Sequence, residues 1–162
     1  MYTKQLFIVF FVAVFSTGCA YRTYDQLEPI EPKMERCASL ADSLTPKFIW
    51  SKSTIPGVLY DFAVFNKPTV SSVDWMLGKH FVYGAPIYYR EALSTNEHVV
   101  EIELNPNTAY AWSVRTRKDG RVSPWATYNC YGYAVFATAT ITNAYFAFIT
   151  PKLGTRLRPS EN

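Results

Sequence analysis

The run Leu104 to Ala126, LNPNTAYAWSVRTRKDGRVSPWA, decides how the rest of the chain is read. At period two, Tyr110, Trp112, Val114 and Thr116 share one face, while Ala111, Ser113, Arg115 and Arg117 share the other. Strand side chains alternate between faces, so the pattern predicts a half-buried strand with an apolar inner row and a polar, solvent-facing outer row. Asp119-Gly120 follows. That pair accepts the positive φ values of a tight reversal, and a hairpin is expected there.

Further alternating runs lie on either side. Pro46 to Ser51 places Phe48 and Trp50 on one face, and Val58 to Phe65 sets Tyr60, Phe62 and Val64 against Leu59, Asp61 and Ala63. Pro86 to Leu93 and Glu97 to Leu104 read as two more strands, the second with Val100, Ile102 and Leu104 on one face. Downstream, Ala134 to Thr142 alternates again, and Tyr145 to Ile149 ahead of Pro151 reads as the closing strand. Asn66 to Gly84, with Trp75 in its middle, has no clean period and reads as an insertion or long loop. Residues 19–43 are polar, carry Pro29 and Pro32, and are expected to be a flexible tether; residues 152–162 are expected to be a mobile tail.

The pattern Leu104-x-Pro106-x-Thr108-x-Tyr110 resembles the connection between strands E and F of fibronectin type III domains. The resemblance covers residues 44–151 and implies an all-β, immunoglobulin-like sandwich. In that family the Tyr hydroxyl bonds back to the backbone of the connection, the tyrosine corner, and Tyr110 would take this role. The family's strand B Trp matches Trp50 and its strand C Tyr matches Tyr60. Past Asp119-Gly120 the chain departs from the family, because residues 128–144 precede the closing strand. The favoured reading is an F-to-G connection expanded by a hairpin arm; the other is an extra strand at the sheet edge.

At the N-terminus, Lys4 precedes the ten apolar residues Leu6 to Phe15, followed by Ser16, Thr17, Gly18 and Cys19. Ten residues fall short of the roughly 20 that cross a bilayer as a helix, but suit a secretory signal. Small residues ahead of a Cys resemble the lipobox of bacterial lipoproteins, which implies a signal peptide over residues 1–18 and covalent lipid on Cys19. Ser16 departs from the aliphatic residue preferred there, and the alternative is an ordinary signal cut near Ala20. With Ala20 rather than Asp after the Cys, the family's sorting rule favours the outer membrane. If Cys19 carries lipid, Cys37 and Cys130 remain, and in an oxidising compartment a disulfide between them is expected, two buried free thiols being the alternative. In the chain-entropy account such a link contributes roughly 4–5 kcal/mol.

The 162-residue chain is 49% apolar and 17% aromatic, enough for one domain with a core. Without Met1 to Gly18 and its one Lys, 15 basic residues face 13 acidic, a net of +2 that gives no electrostatic case for nucleic acid. The seven Gly form no phosphate-binding loop, and His80 and His98 stand in no metal or nucleophile motif, so each is read as a surface or strand-edge residue. Glu91, Glu101 and Glu103 carry no spacing that singles out a catalytic pair. No enzyme, no metal and no cofactor beyond the Cys19 lipid are expected.

Two groups stand out for binding. Arg115 and Arg117 can stack on Trp125 across the hairpin, a partial counterpart of the ladder in receptor members of the fibronectin family. Tyr83, Tyr88 and Tyr89 with Tyr128, Tyr131 and Tyr133 form an aromatic set suited to proteins or sugars. The contact residues expected from these groups are Tyr88, Tyr89, Arg115, Arg117, Trp125 and Tyr131. Together these readings describe a membrane-anchored envelope lipoprotein with a non-catalytic binding or scaffolding module and an envelope protein partner. The alternative is a glycan-binding or hydrolase accessory protein.

Overall fold

Aromatic and β-branched side chains at alternate positions suit a pleated, half-buried surface, and strands account for the regular structure of this chain. The computed structural model describes residues 27–34, 38–67, 83–134 and 137–154, of which 129–134 and 137–143 are described as backbone alone. Among the described residues there are eleven strands and no helix. β1 (Pro29–Glu31), β3 (Lys47–Trp50) and β6 (Glu97–Val99) form an antiparallel sheet in the order β1-β3-β6. The larger sheet contains β2 (Ser39–Leu40), β11 (Phe146–Ile149), β7 (Ala109–Lys118), β4 (Leu59–Asn66) and β5 (Tyr88–Leu93), in that order. β8 (Arg121–Val122) pairs with β7, while β9 (Tyr128–Ala134) and β10 (Ala137–Ala144) form a separate hairpin.

The two main sheets meet through their inner rows, as in a β-sandwich. Phe48 and Trp50 of β3 project onto Phe62 of β4 and Trp112 of β7, with the Phe48 ring centroid 5.1 Å from Phe62 and 4.8 Å from Trp112. Trp50 stacks on Phe62 and meets the edge of Tyr60. Phe48, Trp50, Phe62 and Trp112 are all fully buried, each burial stabilising by roughly 1.5–3 kcal/mol. Tyr60 also reaches the β3–β4 connection, where its hydroxyl accepts the Ser53 N–H.

Tyr110 starts the inner row of β7 and is 2% exposed. Its hydroxyl oxygen accepts the Asn105 N–H at 3.1 Å, a bond back to the connection that leads into the strand. Thr150, after β11, locks the same bend from the other side. Its Oγ1 accepts the Thr108 N–H at 2.9 Å and donates to the Asn105 carbonyl at 2.6 Å. Asn107 lies at φ 49°, a left-handed conformation that Asn tolerates better than most residues.

The closing strand is split. Asp119 and Gly120, at φ 50° and 75°, turn β7 directly into β8, and the pairing continues through Ala126, whose N–H donates to the Val114 carbonyl. The next stretch of β7 is paired by β11, with Phe146 opposite Trp112. Positions 126 and 146 therefore follow one another along β7, and the β9–β10 hairpin is an excursion between them. The hairpin arm expected in residues 128–144 interrupts the last strand itself, and the β7–β8 turn stays tight.

Three expectations are corrected. The outer row of β7 is not solvent-facing along its length: Ala111 and Ser113 are buried, on the face where Trp125 and Tyr145 pack against Phe65, the partner of Ala111, and where Ser113 bonds to the Ala126 carbonyl. Ile102 is 44% exposed while Val100 and Leu104 are buried, because β6 ends at Val99 and the following backbone bonds to Pro46 and Leu44 with Glu101 to Glu103 bowed outward. The tether does not extend to residue 43. Leu27 is 1% exposed in the core, and β1 and β2 join one sheet each, so the domain begins by residue 27. Residues 1–26, Cys37, residues 68–82 with Trp75 and His80, and residues 155–162 of the tail lie outside the described residues.

Replacing Tyr110 with Phe leaves the Asn105 N–H without its bond while conserving the ring. A loss of about 1–2 kcal/mol is expected in urea unfolding, with an unchanged slope. An unmoved midpoint would show that the corner hydroxyl contributes nothing to stability.

Candidate functional site

The outer face of the larger sheet collects most of the residues marked for binding. Its centre is Asp61, which the β4–β7 register sets directly opposite Arg115. Its side chain is 0% exposed. A carboxylate removed from water must be paired and hydrogen-bonded or it loses its charge. Asp61 is surrounded by five donors. Oδ1 accepts from Arg117 Nε at 2.8 Å and from the Ala92 N–H at 3.2 Å. Oδ2 accepts from Arg115 Nε at 2.9 Å, Arg117 Nη2 at 3.0 Å and the Tyr89 hydroxyl at 3.2 Å.

Local backbone shape supplies one of these donors. The β4–β5 register slips between the pairs Tyr60 with Leu93 and Phe62 with Arg90, so Glu91 and Ala92 together oppose Asp61. Such a bulge re-aims backbone groups. Ala92 adopts φ 56°, a left-handed conformation that costs an L-residue about 1–2 kcal/mol, and its N–H points at the buried carboxylate. Burial pushes the Asp61 carboxyl up, but bonds from Arg117, Ala92 and Arg115 outweigh it and hold the group below the usual Asp range. The hydrogen bond to Asp61 correspondingly raises Arg117 above its ordinary value.

Arg117 Nη2 also pairs with Glu91 at 2.9 Å, at the exposed rim. Two guanidiniums thus face two carboxylates. The cluster is neutral, and its donors point inward. On its other flank the Arg115 guanidinium carbon lies 4.5 Å from the centroid of the Trp125 ring, so one face of the indole is covered by a cation. Trp125 meets Tyr89 and Phe65 edge to face at 6.3 and 6.0 Å. Phe65 continues the row to Tyr145, which stacks on Tyr83 with centroids 4.0 Å apart. The Tyr145 N–H donates to the Tyr83 hydroxyl, and burial pushes that hydroxyl up to about 12. The Ser113 hydroxyl donates to the Ala126 carbonyl at 2.6 Å, which fixes the backbone beside Trp125 over the sheet.

Of the expected contact residues, Tyr89, Arg115, Arg117 and Trp125 come together here. Tyr88 does not join them. It is buried on the opposite face of β5, with its hydroxyl 2.7 Å from His98 Nε2 across the two sheets. His98 is thus a half-buried bridging residue, its imidazole shifted down by burial despite the nearby Glu101. Glu101 is paired with Arg90. Tyr128 is also buried and stacks on Phe146. The side chains of Cys130, Tyr131 and Tyr133 lie outside the described residues, as do Cys19, Cys37 and His80. Among the described residues no group of three or more His, Cys, Asp or Glu is placed to hold a metal ion.

Asp61 and the bulge at Ala92 are what the sequence reading missed. The usable signal was one acid inside an apolar strand, on the same outward parity as the two arginines of its neighbour.

Asp61→Asn keeps the shape but leaves two guanidiniums facing a neutral amide. Removing one member of a buried ion pair typically costs about 3–5 kcal/mol, and a loss of that order is expected by denaturant unfolding at neutral pH. Because the folded carboxyl titrates below its unfolded value, its contribution is complete above the ordinary Asp pKa of about 3.9 and fades as pH falls through the lower folded value. The difference between wild type and Asp61→Asn should therefore shrink in strong acid. A variant as stable as wild type at neutral pH would remove Asp61 from the account.

No protein-family model, no curated protein and no solved structure matches this chain.

Proposed function

We propose that this chain is a lipid-anchored envelope protein whose domain is a fibronectin type III-like sandwich acting as a non-catalytic binding or scaffolding module. The strand order supports the fold reading. β1-β3-β6 facing β5-β4-β7-β11 corresponds to A-B-E against C′-C-F-G, and Tyr110 makes the corner bond that its motif implies. The anchoring reading rests on the ten-residue apolar run and the Gly18-Cys19 junction, with an outer-membrane location from Ala20. Cys37 and Cys130 are proposed as the disulfide that remains once Cys19 is acylated.

The binding reading is carried by one observation. The outer face bearing Tyr89, Arg115, Arg117 and Trp125 is held in place by Asp61 before any partner arrives. A surface ordered in advance has less side-chain entropy to lose on association. Neutral charge and a Trp already covered on one face by Arg115 favour a protein partner in the envelope over a sugar, which needs an open aromatic face. Glycan binding is the second reading, favoured by the half-buried Tyr83, Tyr145 and Trp125.

Two measurements on protein from the native envelope test this. Intact mass with and without reductant is expected to show a chain beginning at an acylated Cys19 and gaining two hydrogens on reduction. A photo-crosslinker at Glu91, on the rim of the outer face, is expected to trap an envelope protein, whereas one at Lys47 on the opposite sheet is not. Silence at Glu91, together with a Trp fluorescence response to peptidoglycan fragments, would favour the glycan reading instead.

A further inference from the structure

The described chain starts at one particular end of the sandwich. Leu27 is buried in the core, and Glu28 exchanges bonds with Ser51: its N–H donates to the Ser51 hydroxyl at 2.7 Å, and its carbonyl accepts the Ser51 N–H at 2.9 Å. Ser51 opens the β3–β4 connection, so the N-terminal attachment lies at the same pole as that loop and the β7–β8 turn. Lys118 ties the two loops together by donating to the Pro56 carbonyl at 3.1 Å. β11 runs the other way and delivers Pro151 and Lys152 to the far pole, beside the bend at Asn107.

The attachment pole carries two adjoining clefts of about 330 and 600 Å³ that share Ile55 and Val58. Lys52 lines one, and Lys118, Arg121 and Val122 line the other. Ile55 and Val122 are exposed apolar side chains at this pole. Its three cations stand against Asp119 in the turn and Glu28 at the attachment. Apolar loop tips fringed by Lys and Arg suit the interface of an anionic bilayer.

Chain length decides which end can reach such a surface. Eight steps separate Cys19 from Leu27, and a fully extended chain covers at most about 26–29 Å over them. The nine steps of β7 from Ala109 to Lys118 span about 29–31 Å between the poles. An inverted domain would hold Leu27 at or beyond the full stretch of its link to Cys19, with no slack left in the chain.

We infer that the pole formed by residues 51–58 and 118–123 is a membrane-docking surface, with Lys52, Lys118 and Arg121 against anionic headgroups and Ile55 and Val122 at the interface. This rests on the proposal that Cys19 is lipidated. Docking would leave the outer face around Trp125 standing off the bilayer and open to a partner.

The test uses the full-length lipidated protein in vesicles of phosphatidylcholine with phosphatidylglycerol, and in vesicles of phosphatidylcholine alone. A water-soluble amine-acylating reagent is applied, and modification is read by peptide mass spectrometry after vesicle flotation. Lys52 and Lys118 are expected to react at least about threefold more slowly on the anionic vesicles, and high salt should restore their rate. Lys152, at the far pole, should react alike throughout. If the protein floats and Lys52 and Lys118 react equally on both vesicles, or if Lys152 is slowed as much, docking is overturned and the anchor stands. If the protein does not float, the anchor reading falls and this inference with it.

Discussion

A carboxylate sealed from water inside a β-sheet is the constraint around which the larger sheet is arranged. Asp61 lies between Leu59 and Ala63 on β4, and its charge survives burial only because Arg115, Arg117, Tyr89 and the Ala92 N–H converge on it. Buried ion pairs are poor sources of net stability, since desolvation offsets much of the attraction. Their effect here is on register. Slipping β4 against β7 by one residue would drive Asp61 into the aromatic core and take Arg115 from its partner. The left-handed Ala92 follows from the same demand, as does the placing of Arg115 over Trp125, because the guanidinium is held at Nε by Asp61.

The opposite end of β7 is held by a different device. Tyr110, Thr108 and Thr150 close a net of bonds that joins the bend before β7 to the end of β11. One strand is thus fixed at its start by a hydroxyl network and near its end by an ion cluster. The closing strand can then be interrupted between positions 126 and 146 without loss of sheet continuity, because both of its halves pair with the same well-anchored β7.

The inner half of this fold was legible in the sequence because it depends on local alternation. Tyr110, Trp112 and Val114 face inward as their spacing implies, Trp50 meets Tyr60, and Asp119-Gly120 makes its turn. The outer half was harder because its cover is non-local. Ala63, Ala111 and Ser113 are small and buried, and Trp125, Tyr145 and Tyr83 pack around Phe65 on the same face, but periodicity alone does not say what covers it. Tyr88 and Tyr89 were read as one group because adjacent tyrosines leave strand parity undetermined, and the structure sends one to the core and one outward. β1 and β2 were missed because strands of two or three residues carry no period.

The functional reading depends on the outer face being fixed rather than adaptable, and that in turn depends on Asp61 remaining ionised although it is fully buried. Carbon-13 NMR of the Asp61 side-chain carboxyl, followed through an acid titration of the folded protein, measures this directly. The account predicts a single titration below the ordinary Asp value of about 3.9. A midpoint at or above that value would mean that burial outweighs the two guanidiniums, and the ordered outer face would lose its foundation.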